Sequence, residues 1–157
     1  MKYFTSLIVI SFLLFGCSTT NNYVGSNKDR QALAQTSIGI RTAFAKGDVQ
    51  AILSYHDTNI RKALGYTHII IGKDGLEKDL KNTFKNVKLK WLKNDVESLI
   101  FQRNTAIEIT VFNIEITPYD GGTAFISKGR AMIVYVRNSQ SPYGWASIRE
   151  IIQPATE

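Results

Sequence analysis

Between Phe84 and Val87 the hydrophobic period of this sequence changes, and that change restricts the possible folds more than any other feature. Before it, Leu33, Ser37, Ile40 and Phe44, and later Leu76, Leu80 and Phe84, recur at intervals of three or four. After it, Val87, Leu89 and Trp91 alternate with lysines, and Ile107 and Ile109 alternate with Glu108 and Thr110. The first spacing lines one face of a helix and the second one face of a strand. Helices first and a meander afterwards, without βαβ alternation, define the α+β class.

The spacing predicts a first helix over 29–46, closed by Gly47, since helix ends favour a residue that tolerates positive φ. Asp48 is a natural N-cap for a second, short helix carrying Val49, Ile52 and Leu53 and ending near Tyr55. Ile69, Ile70 and Ile71 make a short β-branched run before Gly72. A third helix follows, with Asp74–Lys78 and Glu77–Lys81 as i,i+4 pairs on its outer side. Leu33, Ile40, Phe44, Ile52, Leu80 and Phe84 are expected to meet in one core against the sheet.

In the later strands the apolar set switches parity, from Ile107, Ile109 and Val111 to Phe112, Ile114 and Ile116. A bulge bending that strand is one account. The other is a sheet with two apolar faces, the outer one covered by a second copy of the chain. Asp120-Gly121-Gly122 reads as a tight hairpin and 138–144, containing Pro142, as a longer one.

The N-terminus belongs to a different problem. Met1 and Lys2 precede an apolar run from Leu7 to Phe15, then Gly16 and Cys17. Crossing hydrocarbon takes about 20 apolar residues, so this shorter run reads as a cleaved signal peptide. Leu14-Phe15-Gly16-Cys17 resembles the lipobox of bacterial lipoproteins, with Phe15 bulkier than the residue usual at its position. Cys17 is the sole cysteine of the 157 residues, which excludes an intramolecular disulfide and any multi-cysteine metal site. Lipidation, palmitate included, would convert an exposed thiol into a membrane anchor. The expected organisation is a signal peptide over 1–16, lipidated Cys17 and a polar tether over 17–28, and one domain over 29–157. The expected location is the bacterial cell envelope. By resemblance to Gram-negative sorting, Ser18 rather than Asp after the cysteine favours the periplasmic side of the outer membrane.

The formal charge is +6, and Lys78, Lys81, Lys85, Lys88, Lys90 and Lys93 fall in one segment. Anionic headgroups are one partner for such a patch, but the interleaved Asp74, Glu77 and Asp79 favour a solvated face. Export and the lack of a binding motif set nucleic acid aside. No metal-ligand spacing, phosphate-cradling glycine loop or Gly-x-Ser-x-Gly element is present, and no cofactor is expected.

The stretch Ala43-Phe44-Ala45-Lys46-Gly47-Asp48-Val49 through Ile52 and Tyr55, then Gly72-Lys73-Asp74-Gly75-Leu76, Gly129-Arg130 and Gly144-Trp145, resembles the nuclear-transport-factor-2-like superfamily. The resemblance, which extends to SnoaL-like and ketosteroid-isomerase-like proteins, spans nearly all of 29–154. It implies a cone in which a curved antiparallel sheet wraps three N-terminal helices around a pocket. It also implies where isomerase chemistry would sit, and there this sequence departs from the pattern. The base region reads Ile60-Arg61-Lys62-Ala63-Leu64, the acidic-donor strand reads Met132-Ile133-Val134, and the tyrosine position falls near Ile40.

His56, at a helix end where an imidazolium favours the dipole, and His68, opening a strand, read as structural before catalytic. Tyr55, His68, Phe112, Arg130, Tyr135, Trp145 and Arg149 are the candidate pocket residues for a small hydrophobic or amphipathic ligand, with the aromatics equally fit to be core. The leading expectation is a non-catalytic ligand-binding or interaction domain on a lipid anchor. An isomerase, dehydratase or cyclase-type enzyme acting on a small hydrophobic substrate is the alternative.

Overall fold

The computed structural model describes residues 25–155, so Cys17 and the signal segment lie outside the described residues. Helix α1 spans Asn27–Lys46 and begins two residues before the periodicity suggests. The reason is a reciprocal cap: the Ser26 side chain accepts from the Asp29 N–H, and the Asp29 carboxylate accepts from the Ser26 N–H. Gly47 ends α1 at φ 66°, where its N–H reaches back to Ala43 and Phe44. Asp48 caps α2 (Val49–Ser54), accepting from the Ala51 N–H at 2.9 Å.

Two strands, β1 (His56–Leu64) and β2 (His68–Ile71), separate α2 from α3 (Gly72–Asn86). β1 corrects the simple order of helices before strands. Its residues are mostly polar, Ile60 being fully buried, so no alternation marks it. The long strands β3 (Val87–Gln102), β4 (Thr105–Pro118), β5 (Phe125–Arg137) and β6 (Trp145–Pro154) follow. The curved, unclosed sheet has the order β2-β1-β6-β5-β4-β3. β1 lies parallel to β6 while all other pairs are antiparallel, so the sheet is mixed rather than wholly antiparallel. The helices pack on its concave side.

The bulge expected in β4 is not there. β4 pairs with β5 without a break from Thr105 to Ile116, and its even-numbered residues Ala106, Glu108, Thr110 and Phe112 are all buried. Register instead slips in β3, at Leu92 and at Glu97, and in β6, at Ile148. The parity switch therefore reflects polar residues facing inward at Glu108 and Thr110 while Ile107, Ile109 and Val111 face outward. The turn after β4 is also longer than a tight hairpin: β5 begins at Phe125, beyond Asp120 and the two glycines.

The expected single core is divided. Ile52, Leu80, Ile60, Ile70 and Leu76 pack at one side, with Phe44 and Phe84 partly buried against them. Leu33, Phe101, Ala106, Tyr135 and Trp145 form a second cluster, which Ile40 adjoins. Among the described residues no helix is long and apolar enough to cross a membrane. All six segment lysines are exposed, and Glu77–Lys81 (2.7 Å) and Lys93–Asp95 (2.9 Å) are paired.

Candidate functional site

A cavity of about 320 Å³ opens between the helices and the concave sheet face, at the small end of the range for ligand sites. Its walls are apolar side chains from α1, α3, β3 and β4, Ile40, Phe44, Leu80, Leu89 and Ile114 among them. Its polar groups are few and concentrated in one row of the sheet. Glu108 on β4 is paired with Ile133 on β5, Ile133 with Glu150 on β6, and Glu150 with Lys62 on β1. With strands about 4.8 Å apart, that row sets the two carboxylate backbones roughly 10 Å apart.

Glu150 is buried and fully engaged. Its Oε2 takes the Lys62 ammonium at 2.9 Å, and its Oε1 accepts from the Ser147 hydroxyl at 2.7 Å and faces His56 Nε2 at 3.1 Å. Three residues apart on a regular strand, Ser147 and Glu150 would face opposite ways. The slip at Ile148 puts both on the inner face. His56 Nδ1 lies 2.7 Å from the Ile52 carbonyl, which only accepts, so that nitrogen carries a proton. Burial alone would push the Glu150 carboxyl up, but Lys62 and the His56 hydrogen bond overcome it and hold it well below the usual carboxylate range.

Glu108 has the opposite character. Its Oε1 lies 3.4 Å from the Ser37 hydroxyl and 3.5 Å from that of Tyr135, both long for hydrogen bonds. Burial pushes its carboxyl up, and nearby Arg41 offsets this only in part. The Tyr135 hydroxyl, buried near both carboxylates, is pushed up as well. The row thus holds two buried carboxyls, one on either side of Ile133, whose proton affinities are shifted in opposite directions.

Of the residues singled out from sequence, Phe112 and Tyr135 line the cavity. Trp145 is fully buried in the second core cluster, edge-on to Phe101 at 5.8 Å, with Arg137 over its ring at 4.1 Å. Tyr55 lies over Gly39 of α1, where a Cβ would come within 2.3 Å of its hydroxyl, and stacks on Tyr143. His68 is exposed and paired with Asp79 at 2.9 Å. Arg130 makes a two-pronged pair with Glu97 on the surface, and Arg149 bonds the carbonyls of Asn59 and Ile148. His56 touches no cavity space itself but steadies Glu150, which does.

Glu108, Glu150, Lys62, Ser37 and Arg41 were not legible as site residues. Glu108 left a trace as a charged residue whose parity Phe112 and Ile114 share, Ser37 as a member of the first helix's stripe, and Lys62 as part of the stretch where the resemblance implies a base. Among the described residues no cluster of three or more potential metal ligands occurs.

No protein-family model and no curated protein sequence matches the chain. Solved structures do. A conserved protein from Planctomyces limnophilus superposes with TM-score 0.74 at 19% identity, covering 83% of this chain and 100% of its own. A ketosteroid isomerase-like protein from Erwinia carotovora gives 0.73 at 14% identity, covering 84% of this chain and 100% of its own. A candidate dehydratase of the NTF2-like family from Streptomyces avermitilis gives 0.71 at 16%, covering 85% and 100%. In its strand order, its helices on the concave face and these likenesses, the chain has the nuclear-transport-factor-2-like cone fold.

Proposed function

We propose that this protein is a lipid-anchored component of the bacterial cell envelope whose cone domain binds a small, largely apolar ligand without transforming it. The observation that carries the binding reading is the cavity: apolar walls around a short polar row is the composition of a site that buries a hydrophobic body and orients one polar group. Decanol should bind the purified protein saturably in calorimetry. Replacing the buried cavity residue in Ala131→Trp should abolish that binding while the protein still melts cooperatively. Undiminished binding in the variant would place the ligand elsewhere.

The anchor rests on the short apolar run and on Cys17 having no partner thiol. Cells fed a palmitate analogue should label the wild-type protein. Cys17→Ser should lose both the label and membrane association, and an equally membrane-bound Cys17→Ser protein would end the anchor reading. In a Gram-negative cell the outer membrane, periplasmic side, is the proposed destination.

A second reading, an isomerase, dehydratase or cyclase-type enzyme on a small hydrophobic substrate, is favoured by one observation: Glu108 and Glu150 share a row and are shifted in opposite directions. Glu108 is the group to donate a proton in such a reaction. We also propose that the outer sheet face pairs two copies of the chain, as developed below.

A further inference from the structure

Two buried hydrogen-bond donors, Trp91 Nε1 and Asn94 Nδ2, belong to residues that line the cavity and have no partner among the described residues. Both residues line the cavity, and they do so together because register slips at Leu92, which puts residues three apart on one face of β3. They are opposite Ile114 and Phe112, consecutive inward positions of β4.

Arg41 lines the same cavity from α1. It donates one bond, from Nη1 to the Ser37 hydroxyl at 2.6 Å. No ion pair links it to a carboxylate within 4.0 Å among the described residues, the Coulombic influence on Glu108 acting over a longer range. A guanidinium has five N–H donors and no acceptor, and an indole has one donor and no acceptor, so Arg41 and Trp91 cannot satisfy each other. The Glu150 carboxylate is already engaged by Lys62, Ser147 and His56, while Glu108 is held only by the long contacts of its Oε1 to Ser37 and Tyr135. Trp91 Nε1 and Asn94 Nδ2 lack an acceptor, and Arg41, with no carboxylate within 4.0 Å among the described residues, favours an anionic one. The remaining walls are aliphatic and aromatic carbon.

We infer that the cavity takes a medium-chain aliphatic carboxylic acid, its carboxylate among Arg41, Trp91 and Asn94 and its chain against the apolar wall of α3, β3 and β4. This rests on the ligand-binding reading above and adds to it the chemistry of the head group. A planar carboxylate offers acceptor sites on both oxygens and fits a guanidinium two-pronged. A primary amine of the same length brings further donors and a like charge, and an alcohol brings no charge.

The test compares decanoate, decanol and decylamine by calorimetry on the purified protein. Decanoate should bind at least about tenfold more tightly than decanol, the scale of one charge-assisted hydrogen bond, and decylamine more weakly than either. In Arg41→Met, which keeps the aliphatic stem, decanol affinity should hold and the preference for decanoate should disappear. Equal binding of decanoate and decanol by the wild type, or a preference that survives Arg41→Met, overturns the carboxylate assignment while leaving the cavity reading standing. Absence of binding by all three overturns both. If Arg41→Met does not fold, Trp91→Phe keeps a ring and removes the N–H. A loss of about fivefold for decanoate alone supports the assignment, and unchanged decanoate affinity overturns it.

Discussion

Glu150→Ala is expected to destabilise the domain by about 3–5 kcal/mol, enough to leave many small domains largely unfolded. The cost comes from what is left behind. Lys62 loses the carboxylate at 2.9 Å that compensates its burial, and its remaining neighbour is the face of the Phe44 ring at 5.4 Å. The Ser147 hydroxyl loses its acceptor and the His56 ring loses its polar neighbour at Nε2, both in residues with almost no exposure. Urea unfolding at neutral pH measures this, and a loss below about 1 kcal/mol would mean that the row is far better hydrated than its burial implies.

The same network fixes the direction of the pH dependence. Glu150 is held below its ordinary value of 4.5, so its contribution is fully present above that pH and is lost as pH falls from there toward the folded value. Glu108 is raised above 4.5, so the folded state holds its proton more firmly than the unfolded chain does. Its contribution is full below 4.5 and declines as pH rises through the folded value. Glu108→Gln should therefore flatten the alkaline side of the stability curve and leave the acid side, which Glu150 controls, in place. Unfolding midpoints across a pH series decide this, and an unchanged alkaline slope in Glu108→Gln would rule it out.

In solution the chain expressed from Ser18 onward is expected to sediment as a dimer, and Met132→Glu is expected to weaken that dimer by about 100-fold or more. The outward side of the sheet carries Ile109, Met132 and Ile151 in one register row and Ile100, Ile107 and Val134 in another. Ile100 is 54% exposed, Met132 39% and Ile151 51%, so this contiguous apolar surface is open to water in the single chain. Half the residues of four long strands face this way, which is the size of a standard interface of 20–30 residues a side. This outer face would pair with its own copy about a two-fold axis, placing Met132 near the middle of the contact and, as Glu, introducing two unpaired charges there. A monomer at about 100 μM, corresponding to self-association weaker than roughly 5 kcal/mol, would remove the homodimer. With β4 unbroken, no inward-turning bulge accounts for Ile107, Ile109 and Val111 in its place.

How far the sequence could be read depended on whether local pattern and tertiary environment agreed. α2 begins at Asp48 and α1 stops at Gly47 because capping is a contact among neighbours, visible in any short window. α3 was legible from Leu76, Leu80 and Phe84 at one helical period, and β2 from the β-branched run Ile69-Ile70-Ile71. β1 was not: its partner β6 lies some ninety residues away, and a strand bordered by neighbours on both sides can place Lys62 inward and still be stable if Glu150 meets it.

The candidate site shows the same division. Aromatic residues were selected for size, yet Trp145 fills the core and Tyr55 covers a helix glycine, while the cavity is distinguished by Glu108, Glu150, Lys62 and Arg41. By itself the sequence determined the α+β class, the junction between the first two helices at Gly47 and Asp48, and the change to strands at Val87, all consequences of residue periodicity and capping within a few positions. Only the tertiary structure decided which polar residues face inward. Slips at Leu92 and Ile148 reverse side-chain parity, and the partner that makes each buried charge tolerable lies on a different strand, so neither appears in any local pattern.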